Sequence, residues 1–203
     1  MNLEKGSADM ENKIEIVFAT GNPHKLQEIN DISKNSGIEF ILPPEGFNPE
    51  ENGSTFEENS YIKAKTAALL SGKISLADDS GLCVDALSGA PGIHSARYAP
   101  TASERIDKLL SNLAEVSNRK AKFVCAMTLV DEFGNVLDRE IGECYGEITE
   151  EPTGVNGFGY DPIFKPDGYD RTIAEMSESL KNQISHRSNA LTKIIGYIKT
   201  NLV

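Results

Sequence analysis

Short apolar runs rich in β-forming residues alternate with amphipathic segments along most of the chain. The apolar runs predict strands, and the segments with helical spacing predict helices between them. Strands are predicted at residues 14–19, 38–42, 74–77, 121–130 and 136–148, and helices at 23–36, at 54–70, from 101 onward and near the carboxyl terminus. Gly134-Asn135 joins the last two strands, so they predict a hairpin. The order of elements indicates an α/β fold with a mixed sheet.

The starts and breaks of the helices also have sequence signals. Ser54-x-x-Glu57 and Thr101-x-x-Glu104 both have the spacing of a capping box. The helical pattern at the carboxyl terminus is interrupted near Ser185. Residues 1–12 are polar and charged and are expected to form a disordered tail, which leaves residues 13–203 as a single domain.

Composition narrows the class of protein. The 203 residues include 20 Lys and Arg against 31 Asp and Glu, a formal charge of −11. Such an acidic chain is a poor candidate for binding nucleic acid, and no apolar stretch suggests a membrane partner. Cys83, Cys125 and Cys144 are odd in number and widely separated, which argues against a disulfide framework or a zinc site. A cytoplasmic protein is expected.

The first motif follows the first predicted strand. It consists of Thr20, Gly21, Asn22, Pro23, His24 and Lys25. Asn22 can cap the helix, and Pro23 suits its first position. Because the start of a helix is already partly positive, Lys25 in the first turn indicates that an anion such as a phosphate binds there. The alternative is a capped helix with a solvated lysine.

The second motif is a pair of acids, Asp78 and Asp79, at the end of the predicted 74–77 strand. Adjacent carboxylates repel each other unless a cation or a proton compensates them. Mg²⁺ is expected, since it binds a few carboxylates together with water and phosphate oxygens. Glu51 is the expected further ligand, and Glu50, Glu57 and Glu58 are alternatives. A solvated acidic turn at Ser80-Gly81 is the other interpretation.

Two further motifs predict a pocket for a nucleobase. In the GFGYDP segment at 157–162, Phe158 offers an aromatic face. Lys181, His186 and Arg187 supply hydrogen-bond donors, which would select a 6-keto purine over adenine. The alternatives are a glycine-rich turn whose aromatic residues join the core, and an ordinary exposed cationic helix start.

Together these motifs resemble the inosine/xanthosine triphosphate pyrophosphatase family. The similar tracts, in order, are TGNPHK (20–25), ENGSTFEENSYIKAK (51–65), ADDSGLCVDALSGAPGIHSARY (77–98), GFGYDPIF (157–164) and LKNQISHRSNAL (180–191). The resemblance implies Mg²⁺-dependent hydrolysis of dITP, ITP and XTP to the monophosphate and pyrophosphate. It also implies a two-lobed α/β fold with a long central mixed sheet flanked by helices, and a homodimer.

The resemblance further implies a role for each matched residue. Asp79 would be the general base and a metal ligand, and Glu51 the second metal ligand. Substrate binding is implied for Thr20, Gly21, Asn22, Pro23, His24, Lys25, Lys63, Ser80, Phe158, Gly159, Tyr160, Asp161, Lys181, His186 and Arg187. Two other interpretations are a pyrophosphatase acting on pyrimidine or modified nucleotides and a non-catalytic nucleotide sensor. The acids at 78–79 and Glu51 argue against a sensor, which gains little from carboxylates beside phosphates.

Overall fold

A computed structural model describes residues 13–202 of the protein. Within these residues, six strands form one sheet and five α-helices flank it. The strands are β1 (Ile14–Phe18), β2 (Ile38–Ile41), β3 (Ser75–Val84), β4 (Lys120–Val130), β5 (Val136–Ile148) and β6 (Phe164–Pro166). The helices are α1 (Pro23–Ser33), α2 (Phe56–Ser71), α3 (Ala102–Asn112), α4 (Glu178–Ile184) and α5 (His186–Asn201). The tail predicted at residues 1–12 lies outside the described residues.

The sheet is mixed, as predicted. Its order is β2-β1-β3-β4-β5-β6. β1 is parallel to both of its neighbours, and the other neighbouring strands are antiparallel. The predicted hairpin is confirmed as β4 and β5. The sequence did not predict β6, which is only three residues long and pairs with the end of β5.

β3 is much longer than the predicted 74–77 strand, and this changes the setting of the acidic pair. Its whole length pairs with β4, from Ser75 opposite Val130 to Val84 opposite Ala121. The predicted strand end was wrong because this pairing outweighs the low strand propensity of the ADDSG segment. β1 ends at Phe18, opposite Leu76, so β3 continues past the carboxyl end of β1.

Apolar side chains from the helices cover both faces of the sheet. On one face, alanines of α2 pack against Val17 and Ala77. On the other face, α1 and α5 pack against Phe18 and Leu76. A further cluster surrounds the far end of β3, where α3 packs with Leu82 and Val84. This division of the core is consistent with the predicted two lobes.

The helix starts follow the predicted chemistry with one shift. The capping box of Thr101 and Glu104 is confirmed at α3. At α2 the cap is Thr55, whose side chain accepts a hydrogen bond from the backbone N–H of Glu58. Ser54 is therefore not the cap; its backbone N–H and its hydroxyl donate to the carboxylate of Glu58 instead.

The predicted break at the carboxyl terminus is confirmed. Ser185 both ends α4 and caps α5, and its side chain accepts from the backbone N–H of Ser188. This arrangement places His186 and Arg187 in the first turn of α5. None of the helices within residues 13–202 combines the length and hydropathy that a bilayer-spanning segment requires.

Candidate active site

A cleft of about 330 Å³ opens beside β3, where that strand runs past the end of β1. This volume lies within the usual range of small-molecule sites, about 300–1,000 Å³. The predicted residues that line it are Asn22, Lys25, Glu51, Lys63, Asp79, Ser80, Phe158, Gly159, Tyr160, Asp161, Lys181, His186 and Arg187. Lys25 and Asp79 therefore share one cleft.

Four predicted residues, Thr20, Gly21, Pro23 and His24, are not among those that line the cleft; the first three line a second pocket together with residues 42–47. The Thr20 hydroxyl accepts a hydrogen bond from the backbone N–H of Asn22 at 3.0 Å. The Asn22 side chain in turn accepts from the backbone N–H of His24 at 3.0 Å, which caps α1. The His24 ring stacks against Phe158, with ring centroids 6.0 Å apart. These contacts build the turn that brings Asn22 to the cleft.

Asp78 lies on the sheet face that α1 and α5 cover, and its carboxylate is fully buried. Lys25 Nζ lies 2.9 Å and Arg187 Nη2 3.0 Å from Asp78 Oδ2. Ser80 donates to the same oxygen at 2.7 Å. Burial opposes ionisation, but the charges of Lys25, Arg187 and Lys63 and the Ser80 hydrogen bond hold the pKa of Asp78 well below its usual range. Lys25 thus has a counter-ion within the protein.

Glu28 extends this network from α1 to α4 and α5. Its carboxylate is buried and pairs with Arg187 Nη1, and its other oxygen lies 2.9 Å from Lys181 Nζ. Lys181 Nζ also lies 2.8 Å from Asp161 Oδ2. Although burial disfavours the guanidinium charge, the carboxylates of Asp78 and Glu28 raise the pKa of Arg187 above its usual value. The two cations of the predicted base pocket are therefore held in place by fixed anions.

Asp79 points to the opposite face of the sheet, toward α2, because successive side chains of a strand alternate. Lys63 Nζ lies 3.1 Å from its Oδ1, and Asn59 Nδ2 donates to its Oδ2 at 3.2 Å. Burial raises the pKa of Asp79 above its usual value, against the opposing effect of the Lys63 charge. Asp79 therefore holds a proton to a higher pH than a solvated aspartate does.

Glu51 reaches the same ammonium group. Its Oε2 lies 3.3 Å from Lys63 Nζ, so Glu51 and Asp79 converge on one cation. Burial disfavours the charge of Lys63, but the nearby carboxylates outweigh it and raise the pKa of Lys63. Among the four glutamates considered from the sequence, all within the described residues, only Glu51 lines the cleft.

The donors at this point fit a divalent cation of the Mg²⁺ type. Within residues 13–202, no group of three or more His, Cys, Asp or Glu side chains has the geometry of a complete metal site. Mg²⁺ binds a few carboxylates together with water and phosphate oxygens, and Glu51 and Asp79 converge within reach of one cation. Glu51 and Asp79 could therefore hold the ion together with a substrate.

Phe158 and His186 form the apolar part of the predicted base pocket. Phe158 is partly buried, and Lys181 Nζ lies 4.4 Å from the centroid of its ring. The His186 ring stacks on Phe123, with centroids 4.8 Å apart and the planes inclined by 13°. Burial and the charges of Arg187 and Lys181 hold the pKa of His186 well below its usual value. The imidazole is therefore neutral at neutral pH.

Tyr160 supports the structure of the site. Its ring joins the core, and its hydroxyl donates to the backbone carbonyl of Ser95 at 3.0 Å. Burial raises the pKa of Tyr160 to about 12. The alternative interpretation of the GFGYDP segment, in which its aromatic residues join the core, therefore holds for Tyr160. The hydrogen bond fastens the short 3-10 helix at Gly92–Arg97, a segment predicted only as a long loop.

A family model described as the Ham1 family matches residues 16–197. The chain belongs to the Ham1 family. Among its curated relatives, a protein of Prochlorococcus marinus (strain NATL1A) named dITP/XTP pyrophosphatase is 47% identical over 186 residues, which cover 92% of this chain and 94% of that protein. A Treponema denticola protein of the same name is 46% identical over 198 residues, covering 92% and 99%.

Solved structures of Ham1 proteins confirm the predicted fold class. The structure of a HAM1 protein from Coxiella burnetii matches with a TM-score of 0.83 and 43% identity, over 92% of this chain and 99% of that one. The Ham1 protein of Staphylococcus aureus matches with a TM-score of 0.82 and 40% identity, over 92% and 98%. The long mixed sheet with flanking helices is thus the Ham1 fold.

Several lining residues of this Ham1 cleft were not predicted. They are Gly81, Leu82, Ile93, Ser95, Ala96, Arg97, Arg105 and Phe123. Most are apolar or small, so their types give no chemical signal in a single sequence. Glu28, which pairs with Lys181 and Arg187, and Asn59, which donates to Asp79, were also not predicted. Glu28 did have a signal, since it lies beside the buried Ile29 and one turn from Lys25.

Proposed function

We propose that this Ham1 protein hydrolyses non-standard purine nucleoside triphosphates (dITP, ITP and XTP) to the monophosphate and pyrophosphate. The observation that carries the proposal is the single cleft that contains both the Glu51–Lys63–Asp79 cluster and Phe158 beside Lys181. The first group suits a triphosphate and the second a base. The dITP/XTP pyrophosphatase names of relatives up to 47% identical support the choice of substrate.

The start of α1 and the lysines would bind the phosphate chain. Asn22 caps α1 beside the cleft, where the helix end is partly positive, and Lys25 lines the same region. Lys63 lies on the opposite face of β3 and reaches the cleft from α2. Asn22 and Lys25 are already held by the helix cap and by the ion pair with Asp78, so they need little reorganisation as charge develops on the leaving pyrophosphate.

Asp79 would act on the attacking water. Glu51 and Asp79 would hold Mg²⁺, which when bound neutralises charge on the phosphates. Asp79 lines the cleft beside Glu51, so its carboxylate can accept a hydrogen bond or a proton from the water, although a carboxylate is a weak base for water. The oxygen of the water forms a bond to phosphorus, the bond to the leaving pyrophosphate breaks, and Asp79 orients the water or takes its proton.

The base would be selected by fixed hydrogen-bond donors. Arg187 and Lys181 are held by buried carboxylates, so they cannot turn to suit a different partner without loss of these ion pairs. A 6-keto purine presents an acceptor to such donors, whereas adenine presents its amino group. A mismatch leaves buried polar groups unpaired, which discriminates strongly against the wrong base.

The experiment that tests this proposal is a measurement of pyrophosphate release from dITP, XTP, dATP and dUTP, with and without Mg²⁺. We expect rapid release from dITP and XTP that depends on Mg²⁺, and rates at least about 100-fold lower with dATP. Preference for dUTP would favour the pyrimidine alternative. Binding of dITP without release of pyrophosphate would favour a sensor.

Two further parts of the proposal concern the whole protein. A cytoplasmic location is proposed from the cysteine usage and the polar composition. A homodimer is proposed from the family resemblance, and light scattering of the full chain would test it.

A further inference from the structure

Two side chains of α2 hold the two oxygens of Asp79. Lys63 Nζ lies 3.1 Å from Asp79 Oδ1, and Asn59 Nδ2 donates to Asp79 Oδ2 at 3.2 Å. Residues four apart lie on the same face of a helix, so α2 presents both groups together. Each carboxylate oxygen therefore has a partner of its own.

Asn59 is the fixed partner. Its side chain is fully buried, and its Oδ1 accepts from the backbone N–H of Gly53 at 2.9 Å. A Cβ at position 53 would lie 2.7 Å from that Oδ1, so only glycine allows the loop to approach so closely. Movement of Asn59 away from Asp79 would also disturb the loop that carries Glu51 and leave buried polar groups unpaired.

Lys63 is the movable partner. Its ammonium group is at the end of a flexible four-carbon chain, and it bridges Asp79 and Glu51 at 3.1 and 3.3 Å. The Glu51 side chain is 34% exposed and lines the cleft. A divalent cation bound between Glu51 Oε2 and Asp79 Oδ1 would occupy the point where Lys63 Nζ lies. Two cations cannot share that point.

We propose that Lys63 is a built-in competitor of the divalent cation. Its ammonium group holds Glu51 and Asp79 together and moves off Asp79 Oδ1 when the cation binds, while Asn59 keeps Oδ2 in place. This exchange makes Oδ1 the oxygen of Asp79 that faces the metal. The inference rests on the proposed function, because it takes Glu51 and Asp79 as the metal ligands.

Isothermal titration of Mg²⁺ into the full chain, without nucleotide, tests this exchange. We expect Lys63→Met to bind Mg²⁺ at least about tenfold more tightly than the unmodified chain, since a close competing charge is removed. Lys65→Met is the matched control, because Lys65 lies on the same helix but is exposed beside Tyr61. The control should leave the affinity unchanged, and Glu51→Gln should abolish binding.

Two other results would overturn the inference in distinguishable ways. Unchanged or weaker Mg²⁺ binding by Lys63→Met, with binding lost in Glu51→Gln, would remove the competitor role and leave the metal ligands in place. No binding by either the unmodified chain or Lys63→Met at millimolar Mg²⁺ would contradict both the exchange and the metal site of the proposed function.

A second measurement needs no variant, so it stands even if Lys63→Met does not fold. The unmodified chain is treated with an amine-acylating reagent, and the modification of each lysine is measured by mass spectrometry. We expect Mg²⁺ to increase the labelling rate of Lys63 several-fold and to leave that of Lys65 unchanged. An equal or lower rate at Lys63 would overturn the exchange.

Discussion

Asp78 and Asp79 are neighbours in the chain but have separate surroundings. Asp78 faces α1 and α5 and is neutralised by Lys25 and Arg187, whereas Asp79 faces α2 and lines the cleft. Because successive side chains of a strand point to opposite faces of the sheet, the two carboxylates are separated. They therefore repel each other less than two adjacent acids in a turn would. We therefore assign Asp78 to the stability of the site and Asp79 to its chemistry.

This division predicts that Asp78→Asn destabilises the protein. The substitution leaves Lys25 and Arg187 with one carboxylate fewer, and removal of one partner from a buried ion pair costs about 3–5 kcal/mol. Urea unfolding near pH 7 measures the change. Asp107→Asn, on the exposed side of α3, is the control and should change the unfolding free energy by less than about 0.5 kcal/mol. Equal effects would contradict the assignment.

At the scale of elements, the position of α5 depends on a glycine in β5. A Cβ at Gly142 would lie 2.1 Å from the backbone oxygen of His186 and 2.4 Å from the backbone nitrogen of Ala190. Backbone atoms cannot move aside as a flexible side chain can. The absence of a side chain at Gly142 therefore lets the first turns of α5 lie close enough for Arg187 to reach Asp78.

We predict opposite effects on stability for two Gly→Ala substitutions, one in β5 and one in α5. Gly142→Ala should destabilise the protein by at least about 2 kcal/mol, because α5 must move away from β5. Gly196 is exposed, lies in the middle of α5 and has open space around it, so Gly196→Ala should stabilise the protein by about 0.5–1 kcal/mol. Thermal and urea unfolding measure both. A stabilising Gly142→Ala would show that the close packing is not present in solution.

The elements show where prediction from one sequence succeeds and where it stops. β4 and β5 were predicted almost to the residue because their alternating or apolar runs are long and Gly134-Asn135 marks the turn. The strand predicted at 74–77 ended too early because Asp78, Asp79 and Gly81 are unfavourable in isolated strands. Pairing with β4 maintains the strand there, and a long-range partner is not visible in local propensity.

At the scale of the whole molecule, buried charges tie α1, β3, α4 and α5 together. Five members of this network are Lys25, Asp78, Glu28, Arg187 and Lys181. The charged groups that were predicted for ligand binding therefore also hold these elements together. The sequence identified most of these residues by their types, but not that they neutralise one another, because their pairing requires the fold.

The buried His186 predicts a pH dependence of stability. Its folded-state pKa is lowered, so the unfolded chain takes up a proton that the folded protein does not, and stability falls as the pH drops. With an unfolded pKa of about 6.5, the loss of stability due to His186 should develop as the pH falls from about 7.5 to about 5.5. Urea unfolding of His186→Gln should lack this part of the loss.

The exposed His94 offers the control for this measurement. His94→Gln should retain the pH dependence of the unmodified chain, since His94 is exposed to solvent. If His186→Gln and the unmodified chain lose equal stability over this range, the imidazole is not held neutral by burial.

The rate of pyrophosphate release from dITP by Asp79→Asn, with Mg²⁺ present, tests the central claim most directly. The substitution keeps the size of the side chain and removes its charge and proton acceptor. We predict a fall in kcat of at least about 100-fold in a variant that circular dichroism shows to be folded. A folded Asp79→Asn protein that releases pyrophosphate at a near-normal rate would show that the chemistry does not take place at this carboxylate.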